Sequence, residues 1–227
     1  MKIIIATIKS WNIKNVKSMH IEGVEIFLVN EKEKLTKEYI EAINPEYVFF
    51  IHWSWYIEKD IYEKYRCIVF HPAKVPFGRG GSPIQNLIER GYTDTVISAI
   101  SVGEILDAGD VYPVTCDLNL NGTADEILMR MSKKVCFHMI PEIIKNKLVP
   151  VKQEGEVVTF KRRKPKDSKI DFEMDIESIY DLIRMLDGEG YPRAYIEIGN
   201  CRLEFSRAAL HTDSIIADVK IERRENE

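Results

Sequence analysis

The stretch CIVFHPAKVPFGRGGSPIQNLIERG, Cys67 to Gly91, decides how the rest is read. CIVF is an apolar run ending against His71. A loop rich in proline and glycine follows, carrying Arg79 inside the cluster Gly78, Gly80 and Gly81. Ser82-Pro83 then opens an apparent helix that runs to about Arg90 and stops at Gly91, a suitable C-cap. Strand, loop and helix in that order are one half of a βαβ unit. Upstream, KIIIATI (2–8), VEIFLV (24–29) and YVFFIHW (47–53) read as strands buried on both faces. Between them LTKEYIEAI (35–43) places Leu35, Tyr39 and Ile43 on one helical stripe, and EKDIYEKY (58–65) is a shorter helix. Alternation of this kind predicts an α/β fold: a Rossmann-like, doubly wound, mostly parallel sheet with helices on both faces.

Downstream, TVISAISVG and DVYPVTCDL read as strands joined by the loop EILDAGD. A long helical stretch follows from Thr123 to Lys147, with Thr123 and Glu126 spaced as a capping box and Pro141 as a kink. The pattern changes near Pro150. KRRKPKDSK (161–169) is a basic linker or hairpin tip, followed by one helix, DIESIYDLIRMLDG, and three short strands. The division is a domain over 1–150 and a small α+β C-terminal module over 151–227. That module holds 14 Lys and Arg against 17 Asp and Glu, and the whole chain has a net charge of -4. The acidic balance weighs against a general nucleic-acid binder. The four cysteines, Cys67, Cys116, Cys136 and Cys201, form no CxxC pair and read as reduced thiols, with no metal site. The apolar start is too short for a signal peptide or a membrane span, so a cytoplasmic location is expected.

HPAKVPFGRGG and the later LDAGD, with 36 residues from His71 to Asp107, together resemble the formyltransferase family that uses 10-formyltetrahydrofolate. That family includes methionyl-tRNA, glycinamide ribonucleotide and sugar N-formyltransferases. The segment FKRRKPKDSKIDF…IYDLIRMLDGEGYPRAYI is similar to the region after its catalytic domain, and FGRGGSPIQNLI looks like the sugar branch. The resemblance implies His71 as the base that takes the amine's proton and Asp107 as the carboxylate that orients it. Taken alone, His71 also fits a satisfied strand-end histidine, and Asp110 is a competing carboxylate. One position departs from the family. The oxyanion-donating asparagine two residues before the histidine is replaced by Val69, which has no donor. His52, at the end of the neighbouring strand, is the proposed substitute, with Asn86 a weaker one and a core role for His52 the plain alternative.

By the same resemblance, 10-formyltetrahydrofolate lies against Trp55, Tyr56, Ile57, Glu104 and Ile105, with Trp53 assigned to packing. Gly78, Arg79, Gly80, Gly81 and Ser82 suit an anionic substrate, through backbone N–H groups, a helix N-terminus and the guanidinium. A plain tight turn is the alternative for GRGG. Arg163, with Lys161 and Arg162, can reach a pyrophosphate, although a solvated charge run is the commoner outcome. The expected function is sugar N-formyltransfer to a nucleotide-linked amino sugar, a UDP- or dTDP-4-amino-4,6-dideoxyhexose of surface-glycan or pseudaminic-type biosynthesis. The alternatives are a methionyl-tRNA formyltransferase-like enzyme and an inactive binding relative. Expected partners are the nucleotide sugar and a second copy in a homodimer, with neither nucleic acid nor membrane.

Overall fold

The computed structural model describes residues 1–223, which divide into two compact units, each built from several segments. Unit 1 comprises Met1–Gly80, Thr95–Leu118 and Met129–Thr159; unit 2 comprises Gly81–Asp94, Asn119–Leu128 and the chain from Phe160.

Unit 1 is organised by a six-stranded sheet. In chain order its strands are β1 (Lys2–Ala6), β2 (Glu25–Val29), β3 (Tyr47–Phe50), β4 (Arg66–His71), β6 (Asp94–Ser101) and β7 (Val111–Asn119); spatially they run β2-β1-β3-β4-β6-β7. The pairs β1–β2, β1–β3 and β3–β4 are parallel, and β4–β6 is antiparallel. The sequence explains the middle of the sheet. Ile3, Ile4, Ile5, Val48 and Phe49 are fully buried, and each such side chain contributes about 1.5–3 kcal/mol by leaving water. β2 departs from expectation: as an edge strand it buries only Val29 completely. A mixed α/β fold with a mostly parallel sheet is therefore what the alternating pattern encodes.

The helices of this unit are shorter than their sequence stripes suggest. α1 (Ser10–Ser18) has no capping side chain and buries only Asn12 and Val16, so it lacks a legible apolar stripe. In α2 (Lys37–Ile43), capped by Thr36, Ile40 and Ile43 face the core, while Tyr39 is exposed. α3 is a single turn, Lys59–Tyr62. The strand β5 (Phe77–Gly80) follows the cis Val75–Pro76 bond. β8 (Val158–Phe160) begins at Val158, whose N–H donates to Pro76 O. α5 (Ala124–Lys134) opens with the expected capping box, Thr123 N–H to Glu126 and Glu126 N–H to Thr123 Oγ1. It continues through a π-helical turn, Val135–Met139, into α6 (Ile140–Lys145); the irregularity sits just ahead of Pro141.

Unit 2 contains α4 (Pro83–Ile88), α7 (Ile176–Leu186) and an antiparallel sheet of β9 (Ala194–Ile198), β10 (Cys201–Leu210) and β11 (Ile215–Arg223), ordered β11-β10-β9. Asp175 caps α7 by accepting from Ser178 N–H. Buried Arg184 donates to Leu120 O and Gly122 O and pairs with Asp181, which compensates its burial. Gln85 of α4 donates to Met185 O. Among the described residues no helix is long and apolar enough to cross a membrane.

Candidate active site

His71 ends β4 and is 6% exposed. Its two ring nitrogens face two oxygens: Nδ1 lies 3.5 Å from Asp107 Oδ2, and Nε2 lies 2.7 Å from Gly78 O. A singly protonated ring can donate to only one of them; the doubly protonated ring satisfies both. The carboxylate is itself fixed, because Asp107 Oδ2 also accepts from Gly80 N–H at 2.9 Å. The structure thus brings together the histidine and aspartate that the sequence paired. It also gives the glycine loop a different role from the one expected. Gly78 and Gly80 have φ of 80 and 103, and the resulting turn folds the loop back, so that one carbonyl and one N–H grip the His71–Asp107 pair. Asp107 itself has a left-handed φ of 54, a conformation Asp tolerates better than most residues. The glycine of the DAGD turn has a steric cause, since a Cβ on Gly109 would meet Ser101 O at 1.9 Å.

His52 lies just past β3, which stops at Phe50 rather than continuing to Trp53. In the parallel register Phe50 pairs with Val69, so His52 and His71 are each two residues beyond a paired position. His52 has a left-handed φ of 53, and its Nδ1 is buried with no hydrogen-bond partner among the described residues. Burial, and behind it the charge of Lys9, pushes its imidazole down to about 4, so the ring is neutral at physiological pH. The carbonyl just before it, Ile51 O, accepts at 3.4 Å from Asn12 Nδ2, which also donates to Thr7 Oγ1 at 2.9 Å. Asn12 is fully buried, and no motif distinguishes it from Asn15 of the same helix. Val69 packs against the apolar cluster of Ile4, Val48 and Phe50 and offers no donor. Asn86 is no substitute, because its amide nitrogen already serves Gly81 O, Ser82 O and Lys161 O.

The two loops expected to flank the folate meet directly: Tyr56 Oη donates to Glu104 O at 3.2 Å. Tyr56 and Ile105 are largely exposed, and Glu104 is exposed beside them. Trp55 stands edge-on to Trp53, ring centroids 4.9 Å apart, with Lys32 Nζ 5.8 Å from the Trp55 ring. Ile57 is 8% exposed and belongs to the buried apolar cluster of this unit. Trp53, Trp55, Tyr56 and Ile57 line a cleft of about 520 Å³ together with Lys32, Leu35 and Thr36.

The residues expected to bind an anionic substrate fall into both units, and each finds its own local explanation. In unit 1, Arg79 is half-buried and held by Gln153 Oε1 through Nε at 3.0 Å and Nη2 at 2.7 Å. In unit 2, Gly81 is required by packing, since a Cβ there would lie 2.5 Å from Arg162 Cβ. Ser82 has a left-handed φ of 50, and its Oγ accepts from Arg163 N–H instead of capping α4. α4 is six residues long and begins with Pro83, which has no N–H. The Arg163 guanidinium is engaged by Glu89 and Asp167 O, and Lys161 and Arg162 lie beside it. All four cysteines are free, and no cluster of three or more metal-ligating side chains occurs among the described residues.

Comparison with known proteins adds to this geometry. Residues 165–222 match the family described as methionyl-tRNA formyltransferase, C-terminal domain. A solved methionyl-tRNA formyltransferase from Clostridium thermocellum is 54% identical, with a TM-score of 0.96 over 99% of this chain and 100% of that one. A curated methionyl-tRNA formyltransferase from a Geobacillus strain is 32% identical over 72% of this chain and 53% of its own length. One from Ehrlichia canis is 28% identical over 83% of this chain and 62% of its own. The chain therefore spans between about half and three fifths of the curated relatives it matches. A sugar N-formyltransferase from Shewanella shares only 14% identity at a TM-score of 0.65, a likeness of fold. These findings overturn the sugar-branch assignment, and with it the nucleotide-sugar partner and the exclusion of nucleic acid. The error has a physical source. The net charge over residues 151–227 hides a local basic run, Lys161–Lys169, which straddles the start of the matched domain.

Proposed function

The chain belongs to the formyltransferase family typified by methionyl-tRNA formyltransferase, and on that premise we propose that it moves the formyl group of 10-formyltetrahydrofolate to the amine of methionine esterified to tRNA. The carrying observation is the 54%-identical relative that matches end to end. His71 takes the proton released when the amine attacks the formyl carbon. Asp107 Oδ2 is the acceptor for Nδ1–H of the imidazolium, and Nε2, which rests 2.7 Å from Gly78 O in this structure, is the nitrogen that turns to the amine to take its proton. His52, kept neutral by burial, supplies the N–H toward the developing oxyanion that Val69 cannot. Its neutrality matters: the ring donates without becoming an acid that would protonate the attacking amine.

Trp55, Tyr56, Glu104 and Ile105 would hold the folate, which supplies an activated formyl group when bound. Backbone carbonyls in the loop after β6 and the exposed aromatic rings fit a polar, flat heterocycle. Arg79 would meet a phosphate of the tRNA end, and Lys161, Arg162, Lys164 and Lys166 would add the electrostatic contribution common to RNA binders. A test is to incubate the protein with 10-formyltetrahydrofolate and methionyl-tRNA, strip the ester and identify the amino acid by mass spectrometry. N-formylmethionine is expected. Unmodified methionine from a protein shown to bind the folate would refute the assignment.

A further inference from the structure

Gln153 lies in unit 1 in a polar stretch with no motif of its own, yet its amide uses its full hydrogen-bonding capacity. Oε1 accepts twice from Arg79, at 3.0 and 2.7 Å, and Nε2 donates to Asp107 O at 2.8 Å and Gly109 O at 2.7 Å. Two acceptor and two donor positions are all that a primary amide possesses. The arrangement also fixes which amide atom is which, because a flipped amide would set N–H groups against guanidinium donors and oxygen against two carbonyls. The backbone is held as well: Val151 exchanges hydrogen bonds of 2.7 and 2.8 Å with Val111 at the start of β7. We propose that Gln153 is a positioning residue, a neutral tether that fixes Arg79 and the Asp107 loop as one unit while leaving the Arg79 charge uncancelled.

Chemistry explains why this position needs a glutamine. A glutamate would satisfy Arg79 but would neutralise it and press an oxygen against the carbonyls of Asp107 and Gly109. An alanine would release both sides. Arg79 makes no ion pair among the described residues, so its full charge is available to a phosphate. The other arm of the tether ends at the residue whose carboxylate stands against His71. One amide thus couples the orientation of the substrate-facing cation to that of the base's partner. The inference rests on the formyl-transfer reading, in which Arg79 meets the acceptor's phosphate and Asp107 serves His71.

The test compares Gln153→Glu and Gln153→Ala with wild type and with Ile143→Val, a mild core truncation in α6 away from the site. Two readouts are taken: kcat and KM with methionyl-tRNA, and the nitrogen NMR resonances of the His71 ring. Both Gln153 variants should lose about tenfold or more in kcat, the scale expected when a catalytic group is displaced by a fraction of an ångström to an ångström. KM should rise further in Gln153→Glu than in Gln153→Ala, because only the glutamate cancels the charge. The His71 resonances should move in both and stay in place in Ile143→Val. A residue that merely stabilised the fold would give Gln153→Glu a KM no higher than Gln153→Ala, or leave the His71 resonances unmoved; either result overturns the proposal. If wild type itself transfers no formyl group, the functional reading fails separately, and the ring resonances still decide whether the tether reaches His71.

Discussion

Replacing Asp107 by asparagine separates the charge of this residue from its shape. The native carboxylate has three structural features: a side chain 8% exposed, a 2.9 Å bond from Gly80 N–H and a 3.5 Å approach to His71 Nδ1. Asparagine keeps an oxygen for Gly80 and tolerates the left-handed backbone, with φ of 54. What it loses is the charge assistance of one hydrogen bond, about 1 kcal/mol of stability. Alanine loses more. It leaves Gly80 N–H without its acceptor, about 1–3 kcal/mol, and meets a left-handed penalty of about 1 kcal/mol. Asp107→Ala should therefore be about 2–4 kcal/mol less stable than wild type. Activity should follow a different order. Without the negative charge, the imidazolium formed during proton transfer loses its counter-charge, and both variants should lose about 10²–10⁴-fold in turnover, or about 3–5 kcal/mol in the barrier. Urea unfolding and the methionyl-tRNA formylation rate measure the two quantities. An Asp107→Asn protein that is stable and within about tenfold of wild-type turnover would refute the role given to the charge.

Other consequences are as direct. His52 sits near 4 when folded against an ordinary 6.5, so the unfolded chain binds the extra proton between those values. Stability from this group is complete above pH 6.5 and is lost as pH falls toward 4, by at most about 3 kcal/mol. His52→Gln should flatten that limb of a urea-midpoint profile, and an unchanged slope would contradict the buried neutral ring. Gly109→Ala should displace the Asp107 loop, given the 1.9 Å approach of its Cβ to Ser101 O, and should lower turnover while the far-ultraviolet spectrum stays native. Burial pushes the Cys67 and Cys136 thiols up to about 12, so a thiol reagent at pH 8 should spare both until the protein is unfolded. Asp175→Ala removes the cap of α7 and should cost about 1 kcal/mol in urea unfolding.

The parts of this molecule that were readable in the sequence are those set by local pattern. Continuous β-branched runs gave β1, β3 and β4, and the Thr123/Glu126 spacing gave the start of α5. The pairing of His71 with Asp107 was readable because two spaced motifs carried it. What escaped depends on contacts between distant segments. Trp53 looked like strand because it continues an apolar run, but His52 turns to a left-handed φ and ends β3. α1 was invisible because its buried face is only Asn12 and Val16. Gly81 packs against Arg162, and Ser82 accepts from Arg163 N–H 81 residues on, contacts that no local pattern shows. Gln153 had no local signal at all, since its three side-chain partners lie 44 to 74 residues away. The exclusion of nucleic acid failed because an average over the tail concealed a local basic run.

The most direct test of the account is a single-turnover comparison of wild type and His71→Ala, each loaded with 10-formyltetrahydrofolate and mixed with methionyl-tRNA. Equilibrium binding of both ligands is measured in parallel. Wild type should yield N-formylmethionyl-tRNA, and His71→Ala should bind both ligands yet transfer at least about 10²-fold more slowly, the loss expected of a general base. Formyl transfer by His71→Ala at close to the wild-type rate would contradict the role of His71 as the base.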